Sequence, residues 1–199
     1  YELSYTNILG MLDLAGIPLL SADRKEQHPL VIVGGPCAYN AEPLADFVDL
    51  VVLGEGEEAI VDILEVLRQG KAATRSREAT LNALAEIKGV YVPSFYEPLY
   101  GVDEAFRGLR AKETCLPTTI EKRVVAALGI EHIPVAPVLP YLDIVHDRVL
   151  LEIFRGCARG CRFCQAGMTY RPVREFNSTV LVAAAQQAIL HTGYEEVSL

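Results

Sequence analysis

Leu30-Val-Ile-Val33 and Leu50-Val-Val-Leu53 are the two apolar runs that decide the fold of the first half of this 199-residue chain. Each run is continuous and ends at a glycine, which is typical of a strand buried on both faces of a parallel sheet. After the second run, apolar residues recur at helical spacing up to Gly70: Ile60, Ile63, Leu64 and Leu67. This alternation of strand and helix predicts an α/β architecture with an open, mostly parallel sheet.

Weaker patterns extend the prediction on either side. A buried stripe at Ile8, Met11, Leu12 and Ala15 predicts a helix over about 5–15, and a second helix is predicted over 78–87, before a strand at 90–92. Prolines interrupt every apolar run between 94 and 146, so we predict a connector there with one or two short edge strands.

A second β-α-β pattern begins after residue 147. It predicts a strand at 149–154, a long loop at 155–174, a helix capped by Asn177 or Ser178 and ended by Gly193, and a strand from 196. The predicted organisation is therefore 1–93 as an α/β domain, 94–146 as the connector, and 147–199 as the start of a second domain. The first residue is not Met and the last lies in a predicted strand, so we expect a piece of a longer chain whose open sheet edges favour self-association.

Composition excludes several classes of protein. Hydrophobic residues make up 51% of the chain and its formal net charge is −8, which indicates an acidic globular protein. The longest uncharged stretch, residues 176–194, is too polar for a membrane span, and the first residues lack the basic start of a signal peptide. We therefore expect a cytoplasmic protein without a membrane partner.

Three of the five cysteines lie within eight residues, in Arg155-Gly-Cys-Ala-Arg-Gly-Cys-Arg-Phe-Cys-Gln-Ala-Gly167. Thiolates are soft ligands that suit iron–sulfur clusters and zinc, and Cys157, Cys161 and Cys164 can all face one centre from one tight loop. We expect the loop's glycines, Gly156, Gly160 and Gly167, to allow positive backbone torsions. Three ligands leave one metal position open, which favours catalysis over a closed structural site.

The spacing C-x3-C-x2-C directly after a strand, with Phe163 before the third cysteine, resembles the signature of radical SAM enzymes. The resemblance implies that the three cysteines hold a 4Fe-4S cluster. It also implies that the open iron binds S-adenosylmethionine, that a low-potential electron donor drives cleavage to a 5′-deoxyadenosyl radical, and that Phe163 lies beside the adenine. It identifies no further catalytic residue.

Two other interpretations of the cysteines stay open: a zinc site completed by His146 or Cys115, and a simple electron-transfer cluster. Charge adds a clue, because residues 147–175 carry a net charge of +3 in an acidic chain, with arginines at 148, 155, 159, 162, 171 and 174. Such arginines can raise a cluster potential or hold an anionic group, or they can be solvated loop residues. The patch is too small to indicate nucleic-acid binding.

Glycines follow both apolar runs of the first half, at Gly34 and Gly35 and at Gly54 and Gly56. In doubly wound sheets ligands bind beyond the carboxyl ends of strands, although any tight turn also favours glycine. The segments Val-Ile-Val-Gly-Gly-Pro and Val-Val-Leu-Gly-Glu-Gly-Glu-Glu resemble the later half of the cobalamin-binding domain found in one radical SAM class. With Leu3-Ser-Tyr-Thr-Asn and Arg-Pro-Val-Arg-Glu175, the chain resembles an uncharacterised bacterial family of cobalamin-domain radical SAM proteins.

This resemblance implies the later part of a flavodoxin-like, Rossmann-like sheet, then the first β-α unit of a partial (β/α) barrel. It implies that the four glycines line the cobalamin pocket, against the corrin or its nucleotide tail, and that the parent enzyme methylates or otherwise modifies an unactivated carbon of an unknown substrate. The Asp-x-His-x-x-Gly motif of other cobalamin domains is absent. The rival functions are a zinc-stabilised binding module and a non-catalytic cluster or cobalamin sensor. Because few residues follow Cys157, we expect this piece alone to be inactive.

Overall fold

A computed structural model describes residues 1–142 and 144–199 as a mixed α/β protein with small sheets. The chain forms two compact units, Tyr1–Val124 and Val125–Leu199. The first unit contains α1 (Tyr5–Leu14), β1 (Ile32–Val33), β2 (Leu50–Val52), α2 (Gly56–Ala72), α3 (Arg77–Ala85), β3 (Val90–Tyr91), β4 (Tyr96–Tyr100) and β5 (Phe106–Ala111). The second contains β6 (Val149–Leu150), β7 (Phe154–Arg155), α4 (Ala166–Thr169), β8 (Arg174–Glu175), α5 (Ser178–Thr192) and β9 (Val197–Ser198).

The central sheet of the first unit has the strand order β1-β2-β3. β1 and β2 are parallel, as predicted, but β3 runs antiparallel to β2, so the prediction of a mostly parallel sheet is wrong for this strand. The reason is that two helices, α2 and α3, separate β2 from β3 and return the chain to the carboxyl end of β2, where Val90 pairs with Val52. A parallel pairing would need one crossover to the opposite end of the sheet.

Both faces of this sheet are buried, as the continuous apolar runs predicted. Leu50 packs with Ile63 and Leu84 under the helices, whereas Val51 packs on the other face with Tyr91 and Tyr96. Tyr96 begins the β4-β5 hairpin, and its ring lies 5.1 Å from that of Tyr91. The structure therefore groups residues 94–124 with the first unit and 125–146 with the second, where the sequence predicted one connector.

The predicted helices are present, but their buried faces differ from the predicted stripes. In α1 only Leu12 is buried, and Met11 is exposed. In α2 the buried side includes Ala59 and Ile63, while Ile60 and Leu64 are exposed. A small residue at position 59 allows the helix to approach the sheet closely, which a pattern of large apolar residues does not show.

A buried ion network joins three segments of the first unit. Asp49, at the start of β2, accepts hydrogen bonds from Arg24 at 2.9 Å, from Arg77 at 2.7 Å and from the backbone N–H of Val31 at 2.7 Å. The side chains of Arg24 and Asp49 are 0% and 2% exposed. Arg24 also donates to the carbonyls of Pro18, Leu19 and Phe47, so its charge is buried with its donors satisfied.

The second unit contains the predicted β-α-β pattern. β6 and β9 are parallel neighbours, connected through α5. Asn177 caps α5 by accepting from the N–H of Thr179, and Gly193 ends it in the left-handed conformation. The predicted strand at 149–154 is divided into β6 and β7, α4 lies within the predicted loop, and β8 begins at its last residue. None of the helices in the described ranges combines the length and apolarity that crossing a bilayer needs.

Candidate functional site

The cysteine loop is closed at its base by a short pair of strands. β7 and β8 are antiparallel, with Phe154 opposite Glu175 and Arg155 opposite Arg174. The N–H of Phe176 donates to the carbonyl of Ile153 at 3.0 Å, and Phe176 is buried in the core of the second unit. The ends of the loop are therefore fixed to the hydrophobic core, although its tip is exposed.

Two glycines of the loop are required by close backbone contacts. Gly156 has φ +91°, and a Cβ there would lie 2.6 Å from the carbonyl oxygens of Tyr170 and Pro172. At Gly167 a Cβ would lie 2.5 Å from the carbonyl oxygen of Arg159, although Gly167 itself is helical. Positive torsions were predicted for Gly156, Gly160 and Gly167, and only Gly156 has one. The loop is thus folded back on itself by contacts at Gly156 and Gly167.

The three cysteines lie on this folded loop as free thiols. Cys157 is half-buried, Cys161 and Cys164 are exposed, and the N–H of Cys164 donates to the carbonyl of Cys161 at 3.1 Å. Within residues 1–142 and 144–199, no three His, Cys, Asp or Glu side chains converge in a metal-binding arrangement. The structure therefore brings the thiols onto one loop without converging them on one point. The chemistry of this donor set, three soft thiols without a disulfide, fits an iron–sulfur cluster.

Phe163 and several arginines belong to the same segment as the three cysteines. Phe163 is 92% exposed, so its ring is free to stack on a planar group. Two of the six arginines hold the loop: Arg155 donates to Glu152 at 2.9 Å, and Arg174 donates to the carbonyl of Val125 at 2.6 Å. Arg159, Arg162 and Arg171 are exposed. Sequence analysis missed the anchoring role of Arg174, because its partner is 49 residues away in the chain.

The contact at Gly167 leads to a prediction for metal loading. Gly167→Ala should lower the affinity of the loop for iron by about 10-fold, because the added methyl group would push the loop away from Arg159 and disturb the spacing of the thiols. Gly160→Ala is the matched control, since a Cβ there would meet nothing within 4 Å. Iron and sulfide content after anaerobic reconstitution measures both variants. Equal iron and sulfide contents in the two variants would show that the backbone contact at Gly167 is not needed for metal binding.

At the sheet edge of the first unit, the four predicted cofactor glycines have different surroundings. Gly34 and Gly35 follow β1, and Gly35 has φ +95°. Gly54 has φ +101°, and a Cβ there would clash with the backbone of Arg123, which pairs with Gly54 in a parallel bridge. Gly56, at the start of α2, has open space around it. Gly54 therefore has a structural role, and a cofactor role for the four stays a prediction.

A cavity of about 460 Å³ lies at the carboxyl end of β1. Val33, Gly34 and Cys37 line it from the sheet side, and Tyr5 and Ile8 of α1 line it from above. The hydroxyl of Tyr5 donates to the carbonyl of Cys37 at 2.7 Å, which fixes α1 across this turn. Burial, together with the charge of Glu2, raises the pKa of Tyr5 and keeps the hydroxyl protonated as a donor.

Comparison with known proteins bears on the first half of the chain. Residues 1–93 match the family model described as "Radical SAM proteins, N-terminal". The match supports the radical SAM family. Over 202 aligned residues the chain is 25% identical to an uncharacterized protein of Methanocaldococcus jannaschii, and the alignment covers 100% of this chain and 36% of that relative. The chain thus spans about a third of the relative's length, and no solved structure matches it significantly.

Radical SAM proteins in general use a 4Fe-4S cluster and S-adenosylmethionine. The matched range, 1–93, ends well before Cys157, so the cysteine loop is evidence independent of the match. A radical SAM match and a three-cysteine loop in one chain point to the same chemistry. The ligand roles of Cys157, Cys161 and Cys164, and the adenine contact of Phe163, stay predictions.

Proposed function

We propose that this chain is part of a radical SAM enzyme in which Cys157, Cys161 and Cys164 hold a 4Fe-4S cluster. The observation that carries the proposal is the C-x3-C-x2-C loop, which is anchored between β7 and β8 and lies between the first strand and the helix of the β6-α5-β9 unit. The family match of residues 1–93 supports it from another part of the sequence. In this proposal β6, α5 and β9 begin a partial (β/α) barrel, and the first unit is the later part of a flavodoxin-like domain.

The residues of the loop have separate tasks in this proposal. The three thiolates ligate three irons and leave the fourth for S-adenosylmethionine. When bound and reduced, such a cluster would supply one electron to break the C5′–S bond of S-adenosylmethionine, which gives methionine and a 5′-deoxyadenosyl radical. Phe163 stacks on the adenine, and its exposed ring is available for that contact. Gly156 and Gly167 hold the spacing of the thiols through the backbone contacts described above.

The exposed arginines serve an anionic group near the cluster. Arg159, Arg162 and Arg171 are exposed and belong to the segment that carries the three cysteines, and a guanidinium binds a carboxylate in a bidentate geometry. The carboxylate of S-adenosylmethionine, an anionic substrate and an acidic low-potential electron donor are all candidates for this contact. We propose modification of an unactivated carbon as the reaction, in the cytoplasm, where free thiols are kept reduced.

The experiment is to purify the full-length protein without oxygen and to measure iron, sulfide and zinc. The protein is then reduced with dithionite in the presence of S-adenosylmethionine, and 5′-deoxyadenosine is measured by chromatography. We expect about four irons and four sulfides per chain and reductant-dependent 5′-deoxyadenosine. Stoichiometric zinc without sulfide would instead indicate a zinc-stabilised binding module. A cluster that yields no 5′-deoxyadenosine would indicate an electron-transfer or sensor protein.

A further inference from the structure

The edge of the first unit where a corrin would be expected is closed next to β2 by the chain itself. The N–H of Arg123 donates to the carbonyl of Leu53 at 2.8 Å, and the carbonyl of Arg123 accepts from the N–H of Glu55 at 3.0 Å. These bonds extend the sheet beyond β2 and place the Arg123 backbone directly over Gly54. A cofactor would need the space beside Gly54 for close approach to the backbone. Another segment of the protein therefore fills that space.

The segment at Arg123 is held by charge as well as by the backbone. The guanidinium of Arg123 forms ion pairs with Glu58 at 2.8 Å and with Asp62 at 3.1 Å. Both carboxylates belong to the first two turns of α2, and the Arg123 side chain is 21% exposed. Two hydrogen bonds and two ion pairs thus fix the segment on both sides of Gly54, so that displacement by a ligand would break all four.

Next to β1 the available space is small. The cavity there has a volume of about 460 Å³, and α1 covers it through the hydroxyl of Tyr5, whose single proton is shared between the carbonyls of Cys37 and Asn40. Pockets of about 300–1,000 Å³ hold ordinary drug-sized ligands. A corrinoid carries a macrocycle and a nucleotide tail and is larger than these. The cavity is in the lower part of that range, so it cannot enclose a whole corrinoid.

Within residues 1–124 no histidine lies at this edge. The one histidine of this range is His28, which precedes β1 and therefore lies at the amino end of the strand. The Nδ1 atom of His28 accepts a hydrogen bond from the N–H of Lys25 at 2.8 Å. His28 thus cannot serve as an axial ligand at the carboxyl edge of the sheet.

We propose that the first unit excludes cobalamin and that the closed edge, built on Arg123 and Tyr5, is a structural replacement for a corrin site. The resemblance of the Gly-rich turns to a cobalamin domain then concerns the fold and not the cofactor. This inference refines the proposed function, because it assigns residues 1–124 a role that does not require a corrin. It concerns the first unit alone and does not depend on cluster binding at the cysteine loop.

The direct test is equilibrium dialysis of the full-length protein against hydroxocobalamin under anaerobic, reducing conditions, with a cobalamin-dependent methyltransferase as positive control. We expect the visible spectrum to show the same concentration of corrin on the protein side of the membrane as on the side without protein. Stoichiometric corrin would overturn the inference. Iron measured on the same sample keeps the two proposals distinct, since loss of the cluster affects only the proposed function.

A pair of glycine variants tests the closure itself. Gly54→Ala should lower the Tm by roughly 10 °C, because alanine at φ +101° is strained and would contact the Arg123 backbone. Gly56→Ala, two residues away and in open space, should leave the Tm unchanged or slightly higher. Gly35→Ala has a similar φ of +95° with open space around it, so it reports the torsional strain alone, and an equal loss of Tm in Gly35→Ala and Gly54→Ala would mean that the Arg123 backbone does not press on Gly54. That result would overturn the closed edge.

Discussion

Replacement of Asp49 by alanine is expected to destabilise the first unit by about 3–5 kcal/mol, the usual effect of removing one partner of a buried ion pair. Asp49 neutralises Arg24, whose side chain is 0% exposed, and it also pairs with Arg77. Without the carboxylate, Arg24 would keep its charge inside the protein with carbonyl oxygens as its remaining partners. Since whole domains are stable by about 5–15 kcal/mol, this change approaches complete unfolding.

Urea unfolding followed by circular dichroism measures this loss. Glu65→Ala is the matched control, because it removes the partner of Arg68 in an exposed ion pair, which contributes little to stability. Asp49→Asn should fall between the two, since an amide oxygen can still accept from Val31 or Arg24 but carries no charge. An unfolding midpoint for Asp49→Ala equal to that of Glu65→Ala would show that the network is not needed for stability.

Local signals in the sequence were sufficient for much of the secondary structure. The continuous run at Leu50 is a strand buried on both faces, and Asn177 and Gly193 bound α5 as predicted. These signals act within a few residues: an Asn side chain caps the next N–H groups, and a glycine takes the left-handed position. Such features do not depend on what the rest of the chain does, so they can be predicted from the sequence.

Features that depend on distant partners could not be predicted in this way. The direction of β3 follows from the packing of α2 and α3, and not from the apolar run at Val90. Arg24 and Asp49 are separated by 25 residues, and each belongs to a residue type that usually lies on the protein surface. The contact of Arg123 with Gly54 also joins residues far apart in the sequence. For this reason the sequence suggested a cofactor beside Gly54, although the backbone of Arg123 fills that space.

The candidate site shows the same division. The cysteine spacing identified the loop because the ligand pattern is local in the sequence. The need for glycine at position 167 could not be predicted in this way, because it comes from contact with the backbone of Arg159. The two strands that close the loop, β7 and β8, join residues about twenty positions apart in the sequence. They are paired through two residue pairs. Strands this short leave no periodic pattern in the sequence, so the sequence predicted a loop from 155 to 174 without them.

Cys161→Ala is expected to reduce the bound iron to background, and Cys157→Ala and Cys164→Ala should do the same. A cluster that depends on three thiolates from one loop has no other cysteine within the loop to replace a lost ligand. Cys161 is exposed, so alanine there should leave the packing of the second unit intact. Loss of iron with an unchanged circular dichroism spectrum would therefore report ligation and not unfolding.

The two remaining cysteines supply the controls for this experiment. The thiol of Cys37 donates to Glu2 at 3.1 Å, and that of Cys115 lies 3.5 Å from a carboxylate oxygen of Glu113. Both contacts lie in the first unit, so Cys37→Ala and Cys115→Ala should retain the iron and sulfide of the unaltered protein. Full iron in the Cys161 variant would contradict the assignment of the loop. Loss of metal from the Cys115 variant would instead make Cys115 a fourth ligand, as a closed zinc site requires.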